Sequence, residues 1–185
     1  YGCLNDNSQF SKFLDLCTPA NLSNLLTSIG MDKDEQKQFT VFSDVFASNT
    51  TENKKYDCLD QNVNFYNTYN YTLYAPDNKA MDLAFHNGLP TWEQVQEVMD
   101  NASANDENAK AKALKMAEAI RNFIRYHFQD FALYADNTID YGDAQEVENG
   151  NRSYMTSCTI GSAYKRLKVK GGSGKLYVTD EGGDD

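Results

Sequence analysis

Chemistry in a protein needs side chains that move protons, donate electron pairs or hold cations, and this chain has few in useful spacing. It has two histidines, His86 and His127. They do not form the His-Glu-x-x-His pattern that sets two imidazoles on one helix face for zinc. Neither a Gly-x-Ser-x-Gly nucleophile elbow nor an EF-hand loop occurs. The run Gly171-Gly-Ser-Gly-Lys175 has the composition of a phosphate loop, but Val169 stands where its first glycine belongs and Leu176 where its hydroxyl residue belongs. Glu181, Asp184 and Asp185 make an acidic, solvating tail. These residues assign no catalytic group, no metal ligand and no cofactor.

Charge narrows the partners. A formal net charge of −10 opposes nucleic acid, whose phosphates require a clustered lysine and arginine surface. It opposes an anionic membrane surface for the same reason. No run approaches the roughly eighteen apolar residues of a transmembrane helix. The 185 residues, 41% of them hydrophobic, suffice for one domain with a real core. The chain opens on Tyr1 with neither an initiator Met nor a signal pattern, so it is expected to be a piece of a longer precursor.

Four cysteines, Cys3, Cys17, Cys58 and Cys158, lack the close pairing of a structural zinc site. They allow two disulfides in any of three connectivities, or buried free thiols. Asn21, Asn49, Asn70, Asn101 and Asn151 each open an Asn-x-Ser/Thr pattern, which a chain this rich in Asn, Ser and Thr also produces by chance.

The elements that must position these residues emerge from periodicity. Phe10, Phe13, Leu14 and Leu16, then Leu22, Leu25, Leu26 and Ile29, predict two short helices separated at Pro19 and closed by Gly30. The segments 39–46 and 62–69 are β-rich, and 48–55 is a polar loop. Tyr71, Leu73 and Ala75 alternate with Thr72 and Tyr74 as in a half-buried strand that Pro76 ends. Asp77 is the N-cap of a helix beginning near Asn78 and ending at Gly88, with His86 in its last turn beside the exposed carbonyls. Thr91 and Gln94 form a capping box for a helix from Trp92 to about Asn101, with Trp92 as a packing residue.

A long amphipathic helix is expected over residues 105–128. Ala113, Met116 or Ala117, Ile120, Phe123, Ile124 and His127 lie on its apolar side. Its other side carries Lys110, Lys112, Lys115, Glu118, Arg121 and Arg125, expected as an exposed, solvated face, with contact to an acidic partner as the alternative. Strands are expected over 131–134, 153–160, 163–169 and 175–179, with Gly171–Gly174 as a hairpin turn. Tyr164, Leu167 and Val169 are matched with Leu176 and Val178 as apolar cross-strand pairs.

The strand-turn-helix Tyr71-Thr-Leu-Tyr-Ala-Pro-Asp-Asn-Lys-Ala-Met81 resembles the first signature motif of the fasciclin (FAS1) domain family. Tyr74 stands for the usual Phe, Asp77 for Thr and Met81 for the final Phe. Phe123-Ile-Arg-Tyr-His-Phe-Gln129 resembles that family's Tyr-His motif. The span from 38 to 70 looks like an insertion relative to the family, and the family's last strand is apparently missing, with its place beyond residue 185.

The resemblance implies an α+β fold, namely a twisted β-sandwich or wedge of mostly antiparallel strands with helices packed on one side. It implies a single FAS1-like domain over 1–185 that acts without catalysis as an extracytoplasmic adhesion or binding module. Its partners would be a protein or glycan at the cell surface, and further FAS1 domains could share the precursor. The composition looks like a bacterial surface lipoprotein, secreted or anchored at the outer membrane. The motif residues Tyr74, Ala75, Pro76, Asp77, Asn78, Tyr126 and His127 are expected to be structural, and Tyr126, His127, Arg121 and Arg125 to offer a partner surface. The alternatives are an inert spacer domain in a multidomain lipoprotein, or a hydrolytic enzyme.

Overall fold

The computed structural model describes residues 6–39, 71–134, 146–148, 151–172 and 174–180. The β-rich segment expected over 39–46 falls outside this range apart from Phe39, and the segment 62–69, Cys3, Cys58 and nearly all of the insertion fall outside it entirely. The fold mixes helices with an antiparallel sheet, so its class is α+β. Two compact units divide the chain, one taking residues 1–58 and 75–124 and the other 59–74 and 125–185.

The first unit is helical. A 3-10 turn at Ser8–Phe10 leads into α1 (Ser11–Cys17), α2 (Leu22–Ile29) and α3 (Lys33–Lys37). Gly30, with φ +105°, stops α2, because its backbone enters the left-handed region that a side chain disfavours. Helix α3 begins at a capping box in which the Asp32 carboxylate accepts from the Asp34 and Glu35 amides and Glu35 accepts from the Asp32 amide. Helices α4 (Asn78–His86) and α5 (Trp92–Asp100) begin at Asp77 and Thr91, the two caps expected from sequence. The core of this unit buries Phe13, Leu16, Leu26, Met81, Val95, Ala113, Ala117 and Ile120. These positions recur at helical spacing, so each helix places one apolar stripe in the interior. Trp92 is also buried, its indole N–H donating to the Leu16 carbonyl at 2.8 Å.

Helix α6 spans Glu107–Tyr126, shorter than the 105–128 expected. Asp106 sets its start by accepting from the amides of Asn108 and Ala109, both at 3.0 Å. At the other end Phe128 belongs to a strand instead of the helix.

Among the described residues the second unit is a six-stranded sheet in which every pairing is antiparallel. Strands β1 (Tyr71–Leu73), β2 (Phe128–Asp130), β4 (Asn151–Ile160), β5 (Ala163–Gly172) and β6 (Lys175–Asp180) lie in that order, and β3 (Glu146–Glu148) also pairs with β4. The strand expected at 131–134 instead occupies 128–130. Phe131 takes φ +65° and breaks the extended run, and the Thr72 hydroxyl clamps the residues after it, donating to the Phe131 carbonyl and accepting from the Leu133 amide. The hairpin turn is tighter than the Gly171–Gly174 expected: Gly171 and Gly172 belong to β5, where they pair with Leu176 and Lys175, and Gly174 supplies a φ of +74°.

Register separates the two faces of the sheet. Tyr154, Leu167, Val169, Leu176 and Val178 share one face and, with Leu133, Tyr74, Tyr126 and Phe131, form the apolar core of this unit. Tyr164 is an odd number of residues from Leu167 and therefore lies on the opposite face, where it pairs with Thr159. The expected pairing of Tyr164 with the apolar set is thereby corrected.

Candidate functional site

The two signature segments meet in the second unit, where β1 pairs with β2. Tyr71, Thr72 and Leu73 lie opposite Asp130, Gln129 and Phe128, and the Tyr74 amide extends the ladder by donating to the His127 carbonyl at 3.0 Å. On the core face the Tyr74 hydroxyl donates to Gln129 Oε1 at 2.8 Å. Burial and the nearby Tyr154 hydroxyl push the Tyr74 phenol above its ordinary range, against the opposing pull of Gln129, so it remains a neutral donor. Tyr126 packs on the apolar cluster, and its ring meets that of His127 edge-on at 6.4 Å. Both side chains are half-buried.

The remaining motif residues lie in the helical unit. Ala75 and Pro76 are half-buried in the connection leaving β1. Asp77 caps α4, its Oδ1 accepting from the Ala80 amide at 2.8 Å. Asn78 ties α4 to α1: its Oδ1 accepts from the Lys12 amide at 3.0 Å, and its Nδ2 donates to the Ser8 carbonyl at 2.9 Å. The salt bridge between Lys12 and Asp82 lies across the same pair of helices.

The basic face expected on the long helix is not uniformly exposed. Lys112 and Lys115 are exposed as expected, but Lys110 is half-buried and paired with Glu107, and Arg121 holds its guanidinium 5.0 Å from the Phe39 ring centre. Arg125 is only 7% exposed, which corrects its place on a solvated face. At the same residue Ser157 on β4 donates to the Arg125 carbonyl at 2.8 Å, tying the end of α6 to the sheet.

Three features carry no clear signal in the sequence. Gln129 and Asp130 are almost fully buried, and Gln129 Nε2 and Asp130 Oδ1 have no partner among the described residues. Burial raises the Asp130 carboxyl to about 6, while Arg166 and the amides of Met155 and Asp130 pull it the other way. The third is a groove of about 940 Å³ in the helical unit, floored by Phe85, Leu89, Val98 and Met116 and rimmed by Lys112, Lys115, Glu97 and Asp106. Its rim mixes both signs of charge and points to no ligand class.

Of the four cysteines, Cys17 and Cys158 lie among the described residues, and both are buried and outside any disulfide. Cys17 is held protonated by burial, which raises it well above the ordinary thiol range, and Cys158 is also enclosed. Among the described residues no group of His, Cys, Asp and Glu is arranged to hold a metal, and no helix is long and apolar enough to cross a membrane.

Comparison with known proteins found no matching family model, no matching curated protein and no matching solved structure.

Proposed function

We propose that the protein is a non-catalytic binding module that works outside the cytoplasm, on a FAS1-like scaffold whose strands form a twisted sandwich or wedge. The observation that carries this reading is the use of the motif side chains. Asp77 caps a helix, Asn78 ties two helices together, and the Tyr74 hydroxyl bonds Gln129. The groups most suited to chemistry in the signature segments are thus engaged in building the scaffold, so function falls to exposed surface.

Exposed apolar side chains support the same view. Ile160 is 62% exposed, and Tyr134 and Tyr177 are each 57% exposed, a display suited to contact with a protein or glycan. The extracytoplasmic setting and the surface-lipoprotein context rest on the resemblance of the two motifs to FAS1 domains. Probing the folded protein against arrays of glycans and matrix proteins tests the proposal. A saturable partner is expected, whereas silence across both arrays would favour a spacer, and substrate turnover would overturn the non-catalytic reading.

A further inference from the structure

The sheet face opposite the core is the least explained part of the second unit. Register and burial place Arg166, Lys168 and Lys170 on this side of β5, alternating with the buried Leu167 and Val169. Lys170 lies opposite Tyr177 and Lys168 opposite Thr179 on β6, and Lys175 shares their side of that strand. Lys170, Lys175 and Tyr177 are exposed, and β6 terminates the strand order of the sheet. The result is a surface of ammonium groups around the exposed Tyr177 ring, with the half-buried Tyr164 further along the same side of β5.

That charge pattern opposes the charge of the whole. The chain carries a net −10, yet no carboxylate among the described residues forms a salt bridge with Lys168, Lys170 or Lys175. Arg166 differs, because its Nε donates to Ser153 Oγ at 2.6 Å and its Nη2 to the Ser153 carbonyl at 3.0 Å. The arginine is therefore anchored, and the lysines are left to meet a ligand.

We infer that the β5–β6 face binds an acidic polysaccharide, with Lys168, Lys170 and Lys175 meeting its carboxylates and the Tyr177 ring carrying the apolar face of a sugar. This rests on the binding-module reading and names its ligand class. Single-stranded nucleic acid fits less well, because its binding platforms stack successive bases on several open aromatic rings, and of the two tyrosines on this face Tyr164 is half-buried and Tyr177 alone is exposed. Lysines are point charges that need no planar two-point partner, so single acid groups spaced along an extended chain suit them. Successive outward residues of a strand stand about 7 Å apart, which lets neighbouring lysines reach separate acid groups on an extended chain.

The test is calorimetric titration of the folded protein with polygalacturonate, with heparin, neutral dextran and single-stranded DNA run beside it. Saturable binding to polygalacturonate is expected, weakening severalfold as salt rises from about 50 to about 200 mM. Lys170→Glu and Lys175→Glu should each weaken it roughly tenfold, and Tyr177→Ala roughly fivefold, all without change in Tm. Equal binding to dextran, tighter binding to heparin or DNA, or indifference to all three substitutions overturns the inference. The same variants on the arrays separate the two readings. A different partner captured equally by wild type and variants removes this face and leaves the module, whereas no partner for either removes both.

Discussion

The helical unit and the sheet unit satisfy their polar side chains in different ways. In the helical unit, Asp77, Asn78, Thr91 and Trp92 all have polar partners, most within a few residues or on a neighbouring helix. In the sheet unit, Gln129 and Asp130 are buried with polar atoms lacking partners among the described residues. Helix caps are satisfied by local geometry, whereas a strand buried on both faces must find partners across the sheet. The helical unit should therefore lose stability when a polar residue is removed, and the sheet unit should gain it at one position.

The largest expected effect is at Trp92. Trp92→Ala removes a buried ring and leaves the Leu16 carbonyl without its donor, so urea unfolding should show a loss of about 4 kcal/mol. Next comes Asn78→Ala, which deletes the bonds from α4 to the Ser8 carbonyl and the Lys12 amide. About 2 kcal/mol should be lost, and a loss near zero would show that the tie is not needed.

Asp130→Asn reverses the sign. The folded carboxyl titrates near 6, above its ordinary value of 3.8, so the native state holds an extra proton between those values and its stability falls as pH rises through 6. The wild type should become more stable as pH drops from about 7 toward 5, with a flatter profile for the variant. At pH 7 the variant should melt a few degrees higher. A lower melting point would mean that the charge is compensated and would erase the contrast between the units. The smallest effect belongs to Tyr74→Phe, which removes one hydrogen bond to Gln129 and should cost about 1 kcal/mol by urea unfolding.

Much of this contrast is legible in the sequence on its helical side. Asp77, Thr91 with Gln94, Gly30 and Gly88 are local signals, and each marks a boundary where the structure has one. On the sheet side, alternation locates β4, β5 and β6, but not which partner each residue faces. Phe128 looks like the last residue of the long helix, and only the pairing of Phe128–Asp130 with Tyr71–Leu73 makes the segment a strand. Arg125 looks exposed for the same reason, since the sequence spacing gives a helix face without showing what buries it. The β5–β6 face is written as Lys168-Val-Lys170 and Lys175-Leu-Tyr177-Val-Thr179, where every second residue is polar or tyrosine. Its apolar members mark the strands, and only the register brings the outward set together on one surface.

The claim that the signature residues build the scaffold and leave binding to the surface is tested most directly at His127. This residue is half-buried, edge-on to Tyr126, and its carbonyl receives the Tyr74 amide. Melting temperature and partner binding should be measured together for His127→Ala. The account predicts a Tm several degrees lower, with affinity unchanged for the protein that remains folded. An unchanged Tm with binding or turnover abolished would contradict it.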